Sequence, residues 1–200
     1  MLFTLVFWNP RGIIGKDEEF KEFLTNKGAV YAGVSESQTY RSERELQDGK
    51  WSWDSGTEGK PTAKGKPPAR GMGAFVDTSR VRASLVKAGK YTMWHRVELE
   101  GDEGPLNVGL GYFPNAQDKT GHRAANDELR EALTEYNLDN DLVVFGGDLN
   151  AHCGLAGCPL TKDLAGEMLL GTTANMIMVN NMTGKCDGGA TRIQVRKDGV

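Results

Sequence analysis

At 200 residues the chain has the length of one domain, enough to bury a sizeable core without disulfide or metal staples. A hydrophobic share of 38%, with 24 basic against 27 acidic residues, excludes a disordered chain and a membrane-embedded helical one. The formal net charge of −3 excludes a general electrostatic pull on nucleic acid, so any phosphate affinity must come from local groups or a bound cation.

Residues 2–8, LFTLVFW, are expected to form a buried strand stopped by Pro10 and Gly12. The run lacks the basic flank and small-residue exit of a secretion signal, and no stretch approaches the ~20 apolar residues of a membrane span. In KDEEFKEFLTNKG, Phe20, Phe23 and Leu24 share a helical face, acids crowd the first turn and Gly28 suits a C-cap. AVYAGVSES is a second strand ending at Ser35 and Glu36. From Asp48 to Arg70 the chain is rich in Gly, Lys, Pro and Ser, which predicts a long exposed loop with a short hairpin around Trp51 and Trp53.

GMGAFVD and TMWHRVELEG are the next strands. In the latter, Met93, His95, Val97 and Leu99 alternate with Trp94, Arg96, Glu98 and Glu100, one side buried and the other wet. PLNVGLGYFPN is a strand that stops at Pro114. Ala124, Ala125, Leu129, Ala132, Leu133 and Tyr136 then recur at helical spacing through HRAANDELREALTEYN, the pattern of a helix lying on a sheet. Leu142 to Phe145 form a fully buried strand, followed by a loop, a helix over 162–170, an apolar stretch ANMIMVNN and a last strand in ATRIQVRKDG. Strands outnumber helices and sit in adjacent pairs, so one domain over 1–200 is expected, with two packed sheets and helices outside.

Cys153, Cys158 and Cys186 leave at least one thiol unpaired and match no C-x-x-C metal pattern. They read as small semi-buried thiols in a reducing, intracellular compartment, cytoplasmic or nuclear.

Chemistry-bearing residues recur at strand ends: Asn9, Glu36, Tyr112, and Asp148 with Asn150. Singly, they read as a turn residue, a solvated acid and a packing tyrosine. Asp-x-Asn is harder to dismiss, because alternation in an extended segment aims residues 148 and 150 at one spot. A carboxylate beside an amide suits phosphate chemistry: the acid orients or deprotonates water and the amide donates to a phosphoryl oxygen. Glu36 can hold Mg²⁺ (or Mn²⁺), a hard cation that prefers oxygen ligands at ~2.0–2.1 Å. The cation also screens the two acids from an anionic phosphodiester.

The ordered set FWNPRG, GVSES, RGMGAFV, GYFPN and FGGDLNAH resembles the endonuclease/exonuclease/phosphatase superfamily, over residues 3–193. Within it, GDLNAH and ATRIQ are most similar to the endonuclease domain of non-LTR retrotransposons, a reverse transcriptase-associated module. The resemblance implies an α/β (α+β) fold: a four-layer αββα sandwich of two mixed sheets flanked by helices, here incomplete at the C-terminus. It implies a metal-dependent phosphodiester hydrolase, a DNA endonuclease, with Glu36 and Asn9 placing Mg²⁺ or Mn²⁺. Tyr112 would contact the phosphate, Asp148 would position the water, Asn150 would stabilise the transition state, and Thr191 would precede the last catalytic segment.

Pro10 and Ser35 depart from the family pattern, and the resemblance implies that the family's closing Ser-x-Ile-Asp strand and Asp-His pair are missing from this sequence, which stops at Val200. His152 is the candidate substitute acid–base; His95 and His122 read as structural. Lys60, Lys64, Lys66 and Arg70, with Trp51 and Trp53, form a candidate nucleic-acid contact in which indoles stack on bases, against a merely solvated loop. The expected partner is DNA, with no membrane, no obligate protein partner, and association through an uncovered sheet edge. Two other readings compete: an inactive remnant acting at most as a metal or nucleic-acid binding module, and a phosphatase or phosphodiesterase acting on a lipid or RNA.

Overall fold

Two apolar runs separated by an amphipathic segment become neighbouring parallel strands. β1 (Phe3–Trp8) pairs in parallel with β2 (Ala29–Ser35) through the crossover helix α1 (Asp17–Asn26). A computed structural model describes residues 3–38, 50–57, 71–99, 104–137, 142–153, 162–174, 176 and 191–195. β3 (Trp51–Thr57) and β4 (Met72–Asp77) extend the first sheet on the β2 side, and the strand over Thr191–Val195 covers the other edge of β1, antiparallel to it. The second sheet is a meander of β5 (Val81–Ala88), β6 (Thr92–Leu99) and β7 (Leu106–Tyr112). The helix α2 (Lys119–Asn137) then carries the chain back to β8 (Leu142–Asp148), parallel to β7. A short helix α3 (Leu164–Thr172) precedes β9 (Thr191–Val195), so the sheet orders are β3-β4-β2-β1-β9 and β5-β6-β7-β8.

Alternation along the strands sorts side chains into three cores. Leu5, Phe7, Tyr31, Met72, Ala74 and Val76 of the first sheet meet Met93, Val97, Val108, Leu110 and Val144 of the second. On the far side of the first sheet, Val6, Ala32, Val34 and Phe75 are covered by Phe20 and Leu24 of α1. On the far side of the second, Trp94 and Phe113 are covered by Ala125, Leu129, Ala132 and Tyr136 of α2 and by Leu169 of α3. The result is an αββα sandwich in which β2 and β4, inner strands of the first sheet, are shielded on two faces, as their unbroken burial reflects.

A polar chain crosses the middle core. The Tyr31 hydroxyl lies 2.9 Å from His95 Nδ1, and His95 Nε2 lies 3.0 Å from Asp54 Oδ2. The neutral tautomer with hydrogen on Nε2 satisfies every member: Tyr31 donates to Nδ1, and Nε2–H donates to Asp54. Burial, with the Asp54 charge adding, pushes the Tyr31 hydroxyl far above its ordinary pKa. Elsewhere the Glu128 carboxylate pins α2 to the β5–β6 turn. It accepts from the backbone N–H groups of Lys90 (3.2 Å), Tyr91 (3.1 Å) and Thr92 (2.8 Å) and from Thr92 Oγ1 (2.7 Å).

Several expectations are corrected. Trp51 and Trp53 do not stand on an exposed loop; they belong to β3 and are 3% and 7% exposed, packed with Phe20 and Phe75 under α1. Burial of their large apolar area outweighs the polar composition around them. Trp94, assigned to the wet side of β6, is fully buried because α2 covers that face, and its ring lies 5.0 Å from that of Tyr136. β5 has no counterpart among the expected strands: it is an edge strand, largely exposed, with a register shift between Leu85 and Lys87, so its sequence lacks clean alternation. α2 begins at Lys119, three residues before the expected start, and Ala124 faces solvent. Phe23 sits at the margin of the α1 interface. The apolar stretch ANMIMVNN and most of the basic loop lie outside the described residues. Among the described residues no helix is long and apolar enough to cross a membrane.

Candidate active site

Both parallel strand pairs end at the same rim of the sandwich. Trp8 of β1 pairs with Val34 of β2, and Tyr112 of β7 pairs with Asp148 of β8. Asn9 and Glu36 therefore leave the ends of β1 and β2, while Tyr112 and Asp148 close β7 and β8. The carboxyl ends of parallel strands are where α/β sheets place ligands. Two hydrogen bonds tie the sheets together here: Asn9 Nδ2 donates to Asp148 Oδ2 at 2.7 Å, and the Tyr112 hydroxyl donates to Glu36 Oε1 at 2.5 Å. Four of the residues singled out from the sequence, separated by up to 139 positions, thus meet in one cluster.

The backbone explains the two glycines before Asp148. Gly147 has φ 137°, and a Cβ there would stand 2.1 Å from the carbonyl oxygen of Gly111 on β7. A Cβ on Gly146 would stand 2.5 Å from Cδ2 of Phe7. Only glycine lets β8 come this close to β7 and β1 while turning Asp148 to the rim. The Asp148 carbonyl then accepts from Phe113 N–H at 2.9 Å.

Glu36 has φ 51°, a left-handed conformation that is uncommon for a residue with a side chain. It is held by its neighbours: Gly12 N–H donates to Glu36 O at 2.8 Å, Ile13 N–H to Ser37 O at 3.1 Å, and Ser37 N–H to Gly71 O at 3.1 Å. Strain of this kind persists where the surroundings over-determine it, and it clusters at functional sites. Asn9 is oriented from both ends. Its Oδ1 accepts from Arg11 N–H at 3.0 Å, which leaves Nδ2 to hold Asp148. Asn9 Nδ2 thus holds the Asp148 carboxylate, and Oδ1 keeps one further lone pair.

Asn150 reaches the cluster by a different route from the one its spacing suggests. The strand ends at Asp148, and Asn150 has φ 43°, so a turn rather than strand alternation brings the two together. Asn150 N–H lies 3.4 Å from Asp148 Oδ1, and Asn150 Nδ2 donates to Phe113 O at 3.0 Å, leaving one amide hydrogen uncommitted among the described residues. His152 is anchored through its backbone to the start of α3: its N–H donates to Asp163 Oδ1 at 3.3 Å, and its carbonyl accepts from Asp163 N–H at 3.0 Å. Among the described residues its ring bonds to neither Glu36 nor Asp148. His95 belongs to the inter-sheet polar chain, and His122 is buried edge-on to Phe113, with ring centroids 5.9 Å apart. Thr191 opens β9, its backbone in register with Phe7.

The sequence reading passed over Arg11, whose backbone amide orients Asn9, and Phe113, whose amide and carbonyl hold Asp148 and Asn150. The first had a signal, since Asn followed by Pro-x-Gly favours an Asx-type turn.

The donors at the rim are carboxylates and amide oxygens, the chemistry that Mg²⁺ or Mn²⁺ prefers. Among the described residues no three His, Cys, Asp or Glu side chains form a closed metal cage. That is compatible with Mg²⁺, which takes one or two carboxylates and keeps several waters. Cys153 is half-buried; Cys158, Cys186, Lys60, Lys64, Lys66 and Arg70 lie outside the described residues. With Trp51 and Trp53 inside the core, the indole part of the expected nucleic-acid contact does not form.

No family model matches this chain, and no curated protein does. Solved structures do. The catalytic domain of human Nocturnin with bound sulfate matches with a TM-score of 0.67 at 11% identity, over 94% of this chain and 76% of that one. The endonuclease domain of TRAS1, a telomere-specific non-LTR retrotransposon, matches with a TM-score of 0.62 at 15% identity, over 97% and 82%. The AP endonuclease LMAP from Leishmania major matches with a TM-score of 0.62 at 11% identity, over 86% and 66%. This chain spans 66% to 82% of the length of these three solved chains, so it covers only part of each. Strand order, helix placement and these likenesses agree: the chain shares the αββα fold of these solved structures, the fold that the resemblance in the five sequence motifs implies.

Proposed function

We propose that the chain is a metal-dependent phosphodiester hydrolase acting on DNA as an endonuclease, of the kind found in non-LTR retrotransposons. The observation that carries this reading is the pair of cross-sheet hydrogen bonds, Asn9 to Asp148 and Tyr112 to Glu36, which gathers two acids, an amide and a phenol at one open rim. The TRAS1 endonuclease domain, of which the chain spans 82%, supports the choice of DNA.

In this reading Asp148, fixed by Asn9, orients water and takes its proton. The free amide hydrogen of Asn150 donates to a phosphoryl oxygen as charge builds there, and Tyr112 contacts the phosphate. Glu36, with help from Asn9, would hold Mg²⁺ or Mn²⁺, which when bound neutralises charge on the phosphate and leaving oxygen. The same residues could bind a metal without turnover; that alternative is favoured by one observation, that no histidine ring among the described residues joins the cluster.

The test is hydrolysis of three substrates, a supercoiled plasmid, a 3′-labelled oligoribonucleotide and a phosphoinositide, each with Mg²⁺ and with EDTA. Metal-dependent turnover of the plasmid alone is the expected result. Turnover confined to RNA or lipid would reassign the substrate, and metal binding without any turnover would favour the binding module.

A further inference from the structure

Tyr112 is held on three sides. Its hydroxyl donates to Glu36 Oε1, its backbone is in register with Asp148 of β8, and its N–H donates to the Tyr91 carbonyl at 2.9 Å. The last bond carries the β6–β7 ladder one step beyond the pair Thr92 and Gly111. Tyr91 therefore sets where the end of β7 delivers its phenol. Tyr91 lies in the turn between β5 and β6, which Gly89 N–H closes by donating to Thr92 O at 2.8 Å. The next three N–H groups, of Lys90, Tyr91 and Thr92, all converge on the Glu128 carboxylate of α2, and the Thr92 hydroxyl joins them. Three of these four bonds end on Oε1 and the Lys90 bond ends on Oε2. Bonds to an ionised acceptor are roughly twice as strong as neutral ones. A Cβ on Gly89 would stand 2.2 Å from the same Oε1, so the absence of a side chain there lets the carboxylate reach the turn.

We infer that Glu128 is a positioning residue for Tyr112. The route is short and continuous: the Glu128 carboxylate fixes the Tyr91 N–H, the carbonyl of the same residue fixes the Tyr112 N–H, and the Tyr112 phenol reaches Glu36. Glu128 is half-buried on the covered side of the second sheet, 37 positions from Tyr91 in sequence, and it takes no part in the reacting cluster. Through it α2 sets the height of the β6–β7 ladder at the rim, in addition to covering the sheet. Its effect on turnover rests on the nuclease reading, whereas its effect on Tyr112 does not.

The test compares wild type with Glu128→Ala, Glu128→Gln, Glu128→Asp, Tyr112→Phe and the control Leu133→Ala. Leu133 packs on the same helix-covered core and makes no bond to the turn among the described residues. The first readout is the carbon NMR signal of Tyr112 in protein labelled at the tyrosine ζ carbon, one of five tyrosines, assigned by its loss in Tyr112→Phe. Glu128→Ala should shift that signal. Glu128→Asp, whose shorter arm withdraws the carboxylate, should shift it in the same sense, and it serves where the alanine variant does not fold. Glu128→Gln, whose amide oxygen can keep the three Oε1 bonds, should recover most of the wild-type signal, and Leu133→Ala should leave it in place. The second readout is plasmid nicking with Mg²⁺. Glu128→Ala should lower kcat about tenfold to a hundredfold, with KM changed less than about twofold. In a Tyr112→Phe background the same substitution should cost less than about twofold more, because residues acting as one unit are not additive. A Tyr112 signal unmoved by both Glu128→Ala and Glu128→Asp, or moved as far by Leu133→Ala, overturns the inference. A full loss of rate retained in the Tyr112→Phe background does the same. If a folded wild type nicks nothing, the nuclease reading fails and the Tyr112 signal alone decides the inference.

Discussion

Replacing Gly147 by alanine should damage both stability and the site, and the structure says why. Two costs add. The residue sits at φ 137°, where a side chain strains the backbone by about 1–2 kcal/mol. Its Cβ would also stand 2.1 Å from the Gly111 carbonyl oxygen, a backbone atom that cannot rotate away, so β7 and β8 must separate. Forced separation of packed elements costs about 1–3 kcal/mol, giving a total of about 2–5 kcal/mol against a typical stability of about 5–15. Gly15→Ala is the matched control: φ is 79° and nothing lies within 4 Å of the added carbon, so only the backbone cost applies. Equilibrium urea unfolding of the two variants and wild type isolates the clash as the difference between them. Equal midpoints for Gly147→Ala and Gly15→Ala would refute the argument that glycine is required at residue 147 for strand approach.

Three further outcomes follow from the same contacts. Glu36→Gln should weaken Mn²⁺ binding at least about tenfold in titration calorimetry, and an unchanged affinity would place the metal elsewhere. Asn150→Ala should lower any nuclease rate with little change in melting temperature, because the residue is exposed; a variant that unfolds would make the Asn150–Phe113 hydrogen bond structural instead. Tyr31→Phe should cost about 1–3 kcal/mol at neutral pH by leaving His95 Nδ1 without a donor. Above about pH 10 the unfolded tyrosine loses its proton while the buried one keeps it, so this residue makes wild-type stability fall by about 1.4 kcal/mol per pH unit. The phenylalanine variant lacks that slope, so the gap between the two proteins should narrow in alkaline unfolding series; a gap constant with pH would mean that Tyr31 is not held neutral.

The elements that could be read from sequence are those whose burial leaves a period. β1, β2, β4 and β7 are near-continuous apolar runs because sheets or helices cover them on both sides, and α2 shows its covered stripe at helical spacing; β8, expected to be fully buried from Leu142 to Phe145, is an edge strand in which Leu142 is 52% exposed. β5 was hidden because an exposed edge strand needs no pattern. Trp51 and Trp53 were misplaced because the signal around them, Gly, Lys and Ser, describes the neighbours and not the two indoles that α1 covers. The candidate site was legible as residue types at strand ends, and the parallel pairing of β1 with β2 and of β7 with β8 carries them to one rim. What alternation could not show was the turn at Asn150, the left-handed Glu36, or the amide of Arg11 that aims Asn9, since each depends on hydrogen bonds from distant segments.

The central claim is that Asp148, held by Asn9, performs the chemistry at this rim. Plasmid nicking with Mg²⁺ by wild type and by Asp148→Asn, on preparations with matched thermal melts, tests it most directly. The account predicts nicking by wild type, its loss in EDTA, and a fall of about 10²–10⁴-fold in the variant, the loss typical of a missing acid–base group. Nicking that survives Asp148→Asn undiminished, or none by a folded wild type that binds Mg²⁺, would contradict it.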